Sequence, residues 1–393
     1  MKKKVYLDYS ATTPMKQEVL DEMLPYFTEK FGNPSSIHSF GREAKQAIDL
    51  ARERLAKAIG AKPEEVFFTG VGSEADNWAI KGIAYANRDK GNHIITTNIE
   101  HHAVLHTCEY LEKNGFEVTY LKVDEYGRIR LEDLQNAITN KTILITIMFA
   151  NNEIGTIQPI QEIGKIAKEK GIYFHVDAVQ AFGNLPIDVK ELNIDLMALS
   201  AHKIYGPKGI GALYIRKGVK IQPILHGGAQ ERRRRAGTEN LPGIVGFGKA
   251  AALATENLEK HVQHVQALKD KLINGIMGSV EYVRLNGHPE YRLPGNVNFA
   301  FEFIEGEALL LSLDMVGIAG SSGSACTSGS LDPSHVLMAL GLTHEIAHGS
   351  LRLTIGDFTT EEDIDYVIEQ IPQVVDRLRQ MSPLYEKVKG GQR

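Results

Sequence analysis

Short runs rich in β-branched and aromatic residues recur along the first two thirds of the chain, each bounded by polar or glycine-bearing stretches. Val66-Phe67-Phe68-Thr69, His93-Ile94-Ile95-Thr96-Thr97, Ile143 to Phe149, Tyr173-Phe174-His175-Val176 and Leu196-Met197-Ala198-Leu199 have the length and continuous apolar character of strands buried on both faces. They predict parallel strands. Between them the apolar period lengthens to that of a helix. Glu43 to Ile59 places Ala44, Ala47, Ile48, Ala51, Leu55 and Ala58 on one face, with Gly60 as a stop signal. Strands alternating with helices predict an α/β fold whose mostly parallel sheet is covered on both faces.

After about residue 255 the pattern changes. A polar helix (256–276) leads into strand-like Glu281-Tyr282-Val283-Arg284-Leu285 and Asn296 to Phe301. A leucine-rich helix (307–315) and a strand over 350–355 follow. The last helix opens on a capping box at Thr359-Thr360-Glu361-Glu362, carries Ile364, Val367, Ile368, Ile371, Val374, Val375 and Leu378, and is expected to kink at Pro372. This reads as a smaller α+β domain.

Composition narrows the class. With 393 residues the chain is long enough for two or three domains, and 43% hydrophobic with 24% charged residues is ordinary for a globular protein. A formal charge of −5 argues against bulk nucleic acid or an anionic membrane as the main partner. Only two cysteines are present, Cys108 and Cys326, so no disulfide framework is expected. Lys2-Lys3-Lys4 is not followed by an apolar core, and the apolar run at 143–150 is too short to span a bilayer. The expectation is a soluble, cytoplasmic protein.

Three strand ends carry candidate chemistry. Val66 to Thr69 runs into Gly70-Val71-Gly72-Ser73 before a helix over 75–86, a turn whose unpaired N–H groups suit an anion. The strand at 173–176 ends in Asp177-Ala178-Val179-Gln180, and the strand at 196–199 ends in Ser200-Ala201-His202-Lys203. Ligands of open α/β sheets bind at the carboxyl ends of strands. An amine, a carboxylate and an anion cradle at three such ends match what pyridoxal phosphate requires: a Schiff-base lysine, an acid facing the pyridine nitrogen and a held phosphate. His101-His102 follows another strand. With Cys108 this pair matches no zinc-site spacing, and no metal site is expected. The segment 320–330 contains eight Gly or Ser among eleven residues, together with Cys326, and is expected to be a mobile loop presenting a reactive thiol. Cys108 sits in a helical context and reads as packing.

With these residues in place, the chain resembles the cysteine desulfurases of the NifS/IscS type, within the fold-type I pyridoxal-phosphate enzymes of aminotransferase class V. The resemblance spans nearly the whole length. It is carried by 7–14, Gly32-Asn33-Pro34-Ser35-Ser36, Glu100-His101, Asn151-Asn152-Glu153-Ile154-Gly155, His175 to Gln180, Ser200 to Gly209, Arg235-Ala236-Gly237-Thr238-Glu239-Asn240 and Ser322-Gly323-Ser324-Ala325-Cys326. It implies a large cofactor domain over 15–258 with a seven-stranded sheet, and a small domain formed by 1–14 and 259–393.

The resemblance also implies roles. Lys203 would hold the cofactor and move protons, Asp177 would face the pyridine nitrogen, and His101 would stack on the ring. Asn152 and Gln180 would contact the ring oxygen side. Gly72, Ser73, Ser200 and His202 would hold the phosphate, with Thr238 reaching it from the second subunit of a homodimer. Arg352 would grip the substrate carboxylate, with Asn152 beside it. Cys326 would take sulfur from L-cysteine as a persulfide, leaving L-alanine, and pass it to an iron–sulfur scaffold protein or to tRNA or cofactor thiolation; with such a scaffold it could transiently ligate a cluster. No membrane and no direct nucleic-acid partner are implied. Selenocysteine lyase, cysteine-sulfinate desulfinase and a non-catalytic sulfur-scaffold partner are the alternatives on this scaffold. Ser73 stands where threonine is commoner, Asp8-Tyr9-Ser10 replaces an asparagine-bearing segment, and Asp357 replaces a basic or polar residue, expected to touch only the surface near Arg352. The run 232–235 of four arginines is read as a solvated loop, part of it near the subunit interface.

Overall fold

Alternate residues of the buried strands supply two different cores. Phe68, Ile95, Ile145, Phe174, Val176, Met197 and Leu199 belong to one, and Phe67, Ile94, Leu144, Leu196 and Ala198 to the other. This follows from the two-residue side-chain period of a strand. In the computed structural model, which describes residues 3–322 and 333–390, a short strand β1 (Val5–Tyr6) precedes the strands of the main sheet. These are β2 (Val66–Thr69), β3 (His93–Thr97), β4 (Glu117–Leu121), β5 (Thr142–Thr146), β6 (Tyr173–Asp177), β7 (Leu196–Ser200) and β8 (Gly211–Ile215). They form a seven-stranded sheet in the order β2-β8-β7-β6-β5-β3-β4. The helix Gly72–Ala86, with Trp78, Ala79 and Ile83 buried, covers one face. The helices Ser39–Ala58, Ile160–Lys170 and Leu241–Glu256 cover the other.

Two strand expectations are corrected. Val66 to Thr69 is not paired in parallel: β8, which the sequence reading did not identify, lies between β2 and β7 and runs antiparallel to both. The run at 143–149 leaves the strand after Thr146, although Ile147 and Phe149 still donate to the carbonyls of His175 and Asp177. That extended tail carries the chain onto the carboxyl edge of the sheet.

The remaining strands are β9 (Val283–Leu285), β10 (Asn296–Phe301), β11 (Ile318–Ala319) and β12 (Ser350–Thr354). β10 lies between β12 and β9, antiparallel to both. Val297, Phe299 and Phe301 of β10 meet Val265, Leu272, Ile364, Val367 and Ile371 in a separate core that also takes in Val5 and Leu7. β1 is tied to this region by parallel pairing with β11. The last helix spans Glu361–Gln380, capped reciprocally by Thr360 and Asp363, and runs without interruption past Pro372.

Candidate active site

The carboxyl ends of β2, β3, β5, β6 and β7 open onto one cleft with about 390 Å³ of free space. Gly72, Ser73, His101, Asn152, Asp177, Gln180, Ser200, His202, Lys203 and Arg352, expected from sequence, all line it. They come from segments far apart in the chain and converge because parallel strands present their carboxyl ends along one edge.

Lys203 lies in the single helical turn that follows β7. Its ammonium donates to the carbonyl of Ala11 at 2.8 Å and to that of Ser10. The N-terminal segment therefore aims the amine into the cleft. Gln180 Nε2 donates to the same Ser10 carbonyl at 3.0 Å. Asp177, 8% exposed at the end of β6, accepts from the Val179 N–H at 2.9 Å. Burial pushes its carboxyl up, and His101 and Lys203 pull it back toward the ionised form. Burial also lowers His101, whose Nδ1 accepts from the Ala103 N–H at 3.1 Å. The neutral ring therefore carries its proton on Nε2.

At the other end of the cleft the helix Gly72–Ala86 begins without a side-chain cap, so its leading N–H groups suit an anion. A Cβ at Gly72 would stand 3.0 Å from Val179 Cγ2 and 3.4 Å from Ser200 Cβ, so glycine is what lets the helix start this close to β7. The Ser73 and Ser200 hydroxyls and the His202 ring complete the donor set. An amine, a buried carboxylate, an imidazole and an anion cradle fit pyridoxal phosphate in charge and in order.

Arg352, on β12, enters from the third core region. Its Nη1 donates to the Asn152 carbonyl at 3.2 Å and its Nη2 to Asp8 at 2.9 Å. Its buried Nε has no partner among the described residues. A guanidinium lining the cleft suits a substrate carboxylate.

Several residues are placed elsewhere. Thr238 is exposed and lines a separate cleft with Gly70, Arg235 and Asn240, away from its own chain's Lys203. Cys326 lies outside the described residues, as does most of the loop expected to be mobile. Cys108 is fully buried, and burial pushes its thiol far up. Asp357 is not confined to the surface near Arg352. It pairs with Lys16 at 2.5 Å and with His261, and lines a pocket that also borders Lys203. The arginine run is partly engaged, although Arg232 and Arg233 remain exposed. Arg232 sits over the Phe67 ring and donates to the Val66 carbonyl, and Arg235 pairs with Glu74. Beside it Glu231, Arg232 and Arg233 all adopt left-handed backbone, held by the buried bidentate pair of Arg52 with Glu231.

Sequence reasoning missed Asp76 and the carbonyls of Ser10 and Ala11. The carbonyls leave no sequence signal. Asp76 did leave one, since it shares the apolar face of its helix with Ala79, Ile80 and Ile83.

A parallel-sheet fold with a lysine–aspartate cofactor cleft defines the class, and the family follows: residues 5–367 match the aminotransferase class-V family, to which the chain belongs. Among curated proteins it is 63% identical over 388 residues to the cysteine desulfurase IscS of Clostridium botulinum (strain Hall), covering 98% of each chain. Among solved structures it is similar to a NifS-like protein, with a TM-score of 0.90, 41% identity and coverage of 96% and 100%. It is also similar to SspA in complex with cysteine, with a TM-score of 0.80, 40% identity and coverage of 91% and 100%. Among the described residues no helix is long and apolar enough to cross a membrane.

Proposed function

We propose that this protein is a pyridoxal-phosphate-dependent cysteine desulfurase that converts L-cysteine to L-alanine and leaves the sulfur as a persulfide on Cys326. The observation that carries this reading is the convergence of Lys203, Asp177, His101 and Arg352 on one cleft. The bound cofactor supplies an electron sink that weakens the bonds at the substrate's α-carbon. The protein supplies the rest. Asp177 would face the pyridine nitrogen, His101 would cover the ring, and Gln180 and Asn152 would meet its oxygen side. Gly72, Ser73, Ser200 and His202 would hold the phosphate. Arg352 binds the substrate carboxylate beside Asn152, and the Lys203 amine holds and returns protons. The Cys326 thiolate forms the new S–S bond as the substrate's C–S bond breaks.

In the same reading the working unit is a homodimer, with Thr238 reaching the other subunit's phosphate; its exposure away from its own cleft supports this. The large domain spans 15–258, and 1–14 with 259–393 form the small one, supported by the separate core around β10. The persulfide serves an iron–sulfur scaffold protein or another sulfur acceptor, and the two-cysteine composition favours the cytoplasm.

Sulfur-labelled cysteine tests the assignment. Reducible label is expected on Cys326 and absent from Cys108, and Cys326→Ala is expected to keep cofactor while losing alanine formation. Label on Cys108, or full turnover in Cys326→Ala, overturns it.

A further inference from the structure

Behind the cofactor cleft lies a buried pair that the proposed chemistry does not use. Asp76, on the helix Gly72–Ala86, is 2% exposed and lines the cleft. Its Oδ1 has no hydrogen-bond partner among the described residues. It stands 3.6 Å from Nε2 of His175, which is fully buried and also unpartnered. The strand period explains the meeting. Phe174 and Val176 face the opposite core, so His175 and Asp177 point to the face covered by the helix that carries Asp76. The other ring nitrogen of His175 is engaged: Nδ1 lies 2.8 Å from Oγ1 of Thr146, its registered neighbour on β5.

We propose that Asp76 is a positioning residue that carries the proton of the Asp76–His175 pair, so that the negative charge facing the cofactor's pyridine nitrogen resides on Asp177 alone. The inference rests on the cofactor reading given above. In this arrangement the Asp76 hydroxyl donates to His175 Nε2 and His175 Nδ1–H donates to Thr146 Oγ1. Both unpartnered atoms then face one another as donor and acceptor.

The surroundings favour the neutral acid. The ionisable groups facing Asp76 are Asp177 and His175 from β6 and Glu100 from the loop after β3, and the two carboxyls repel a charge on it. Burial and that repulsion push Asp76 well above the usual carboxylate range, while burial pushes His175 down to about 3. An isolated buried carboxylate is costly, and a second anion would raise Asp177 by repulsion until it took up the proton itself. Asp177 would then no longer keep the pyridine nitrogen protonated. A neutral Asp76 removes that competition.

Infrared spectroscopy and cofactor titration of the holoenzyme test this. Burial also raises the Glu100 and Glu153 carboxyls, to about 8 and about 7, so ¹³C-aspartate labelling separates the aspartyl signal: a protonated aspartyl band is expected at neutral pH in the wild type and is expected to vanish in Asp76→Asn, with and without cofactor. Because asparagine is also neutral and donates to His175, the pH midpoint of the bound-cofactor absorbance should be unchanged and cofactor affinity should stay within about twofold. An ionised Asp76 would instead lose a full charge in Asp76→Asn and shift that midpoint by about a pH unit. Either that shift or persistence of the band in Asp76→Asn overturns the proposal. Should Asp76→Asn not fold, ¹³C-aspartate labelling of the wild type decides, since absence of a protonated aspartyl carboxyl at neutral pH also overturns it. Failure of the wild type to take up pyridoxal phosphate would overturn the cofactor reading instead, because the carboxyl signal does not depend on it.

Discussion

Arg352 donates through Nη2 to Asp8 at 2.9 Å, so the guanidinium assigned to the substrate carboxylate is already held by a carboxylate from the N-terminal segment. The contact links β12 to the segment that also meets Lys203 through Ser10 and Ala11. Among the described residues the buried Nε of Arg352 has no partner. Asp8 therefore orients the arginine that lines the cleft.

Arg352→Lys removes the planar fork while keeping the charge. The KM for L-cysteine is expected to rise about tenfold or more, with a smaller fall in kcat, because the lost contact exists before chemistry begins. Asp8→Asn is expected to move KM in the same direction by less. Steady-state kinetics measure both, and an unchanged KM in Arg352→Lys would remove it from substrate binding.

In the proposed reading, Lys203→Ala removes the covalent hold on the cofactor and the proton carrier. Turnover is expected to fall on the order of a thousandfold or more. The visible absorbance of the lysine-bound cofactor should disappear even where phosphate contacts retain the cofactor. Absorbance and alanine formation, measured on the same preparation, check this.

The lowered proton affinity of His101 sets an acid limit. Its ordinary value is about 6.5, and burial lowers it, so the ring stays neutral until the pH falls below that value. The acid limb of kcat/KM is therefore expected below about pH 6.5. His101→Ala should cost about a hundredfold in kcat. An acid limb centred above pH 7 in the wild type would contradict a neutral His101.

Asp357 makes a linkage prediction. Burial raises its carboxyl, but His261 and Lys16 outweigh burial and hold it at about 2, below the unfolded value of about 3.9. A depressed folded value means the stabilisation is complete above about pH 5 and is lost as the pH falls toward 2. Asp357→Asn is expected to cost on the order of 1 kcal/mol near neutrality, allowing for solvent screening, and progressively less as the pH drops. Chemical denaturation across pH measures it; an equal loss at pH 7 and pH 3 would contradict the ion-pair account.

What the sequence by itself determined is local. The apolar runs at 66–69, 93–97, 173–176 and 196–199 and the groups at their carboxyl ends were readable because strand period, glycine turns and reactive side chains are properties of neighbouring residues. Asp177 and Lys203 could be placed at strand ends, and a parallel sheet brings such ends together. Only the tertiary structure decided which distant segments meet. β8 inserts antiparallel beside β2, Asp8 crosses to Arg352, and the Ala11 carbonyl receives Lys203. Asp357 closes on Lys16 and His261 instead of staying near the surface of Arg352, and Asp76 descends onto His175. These contacts depend on strand order and on how helices lie across the sheet, so partners far apart in sequence, including backbone carbonyls with no side-chain signature, are chosen by packing rather than by pattern.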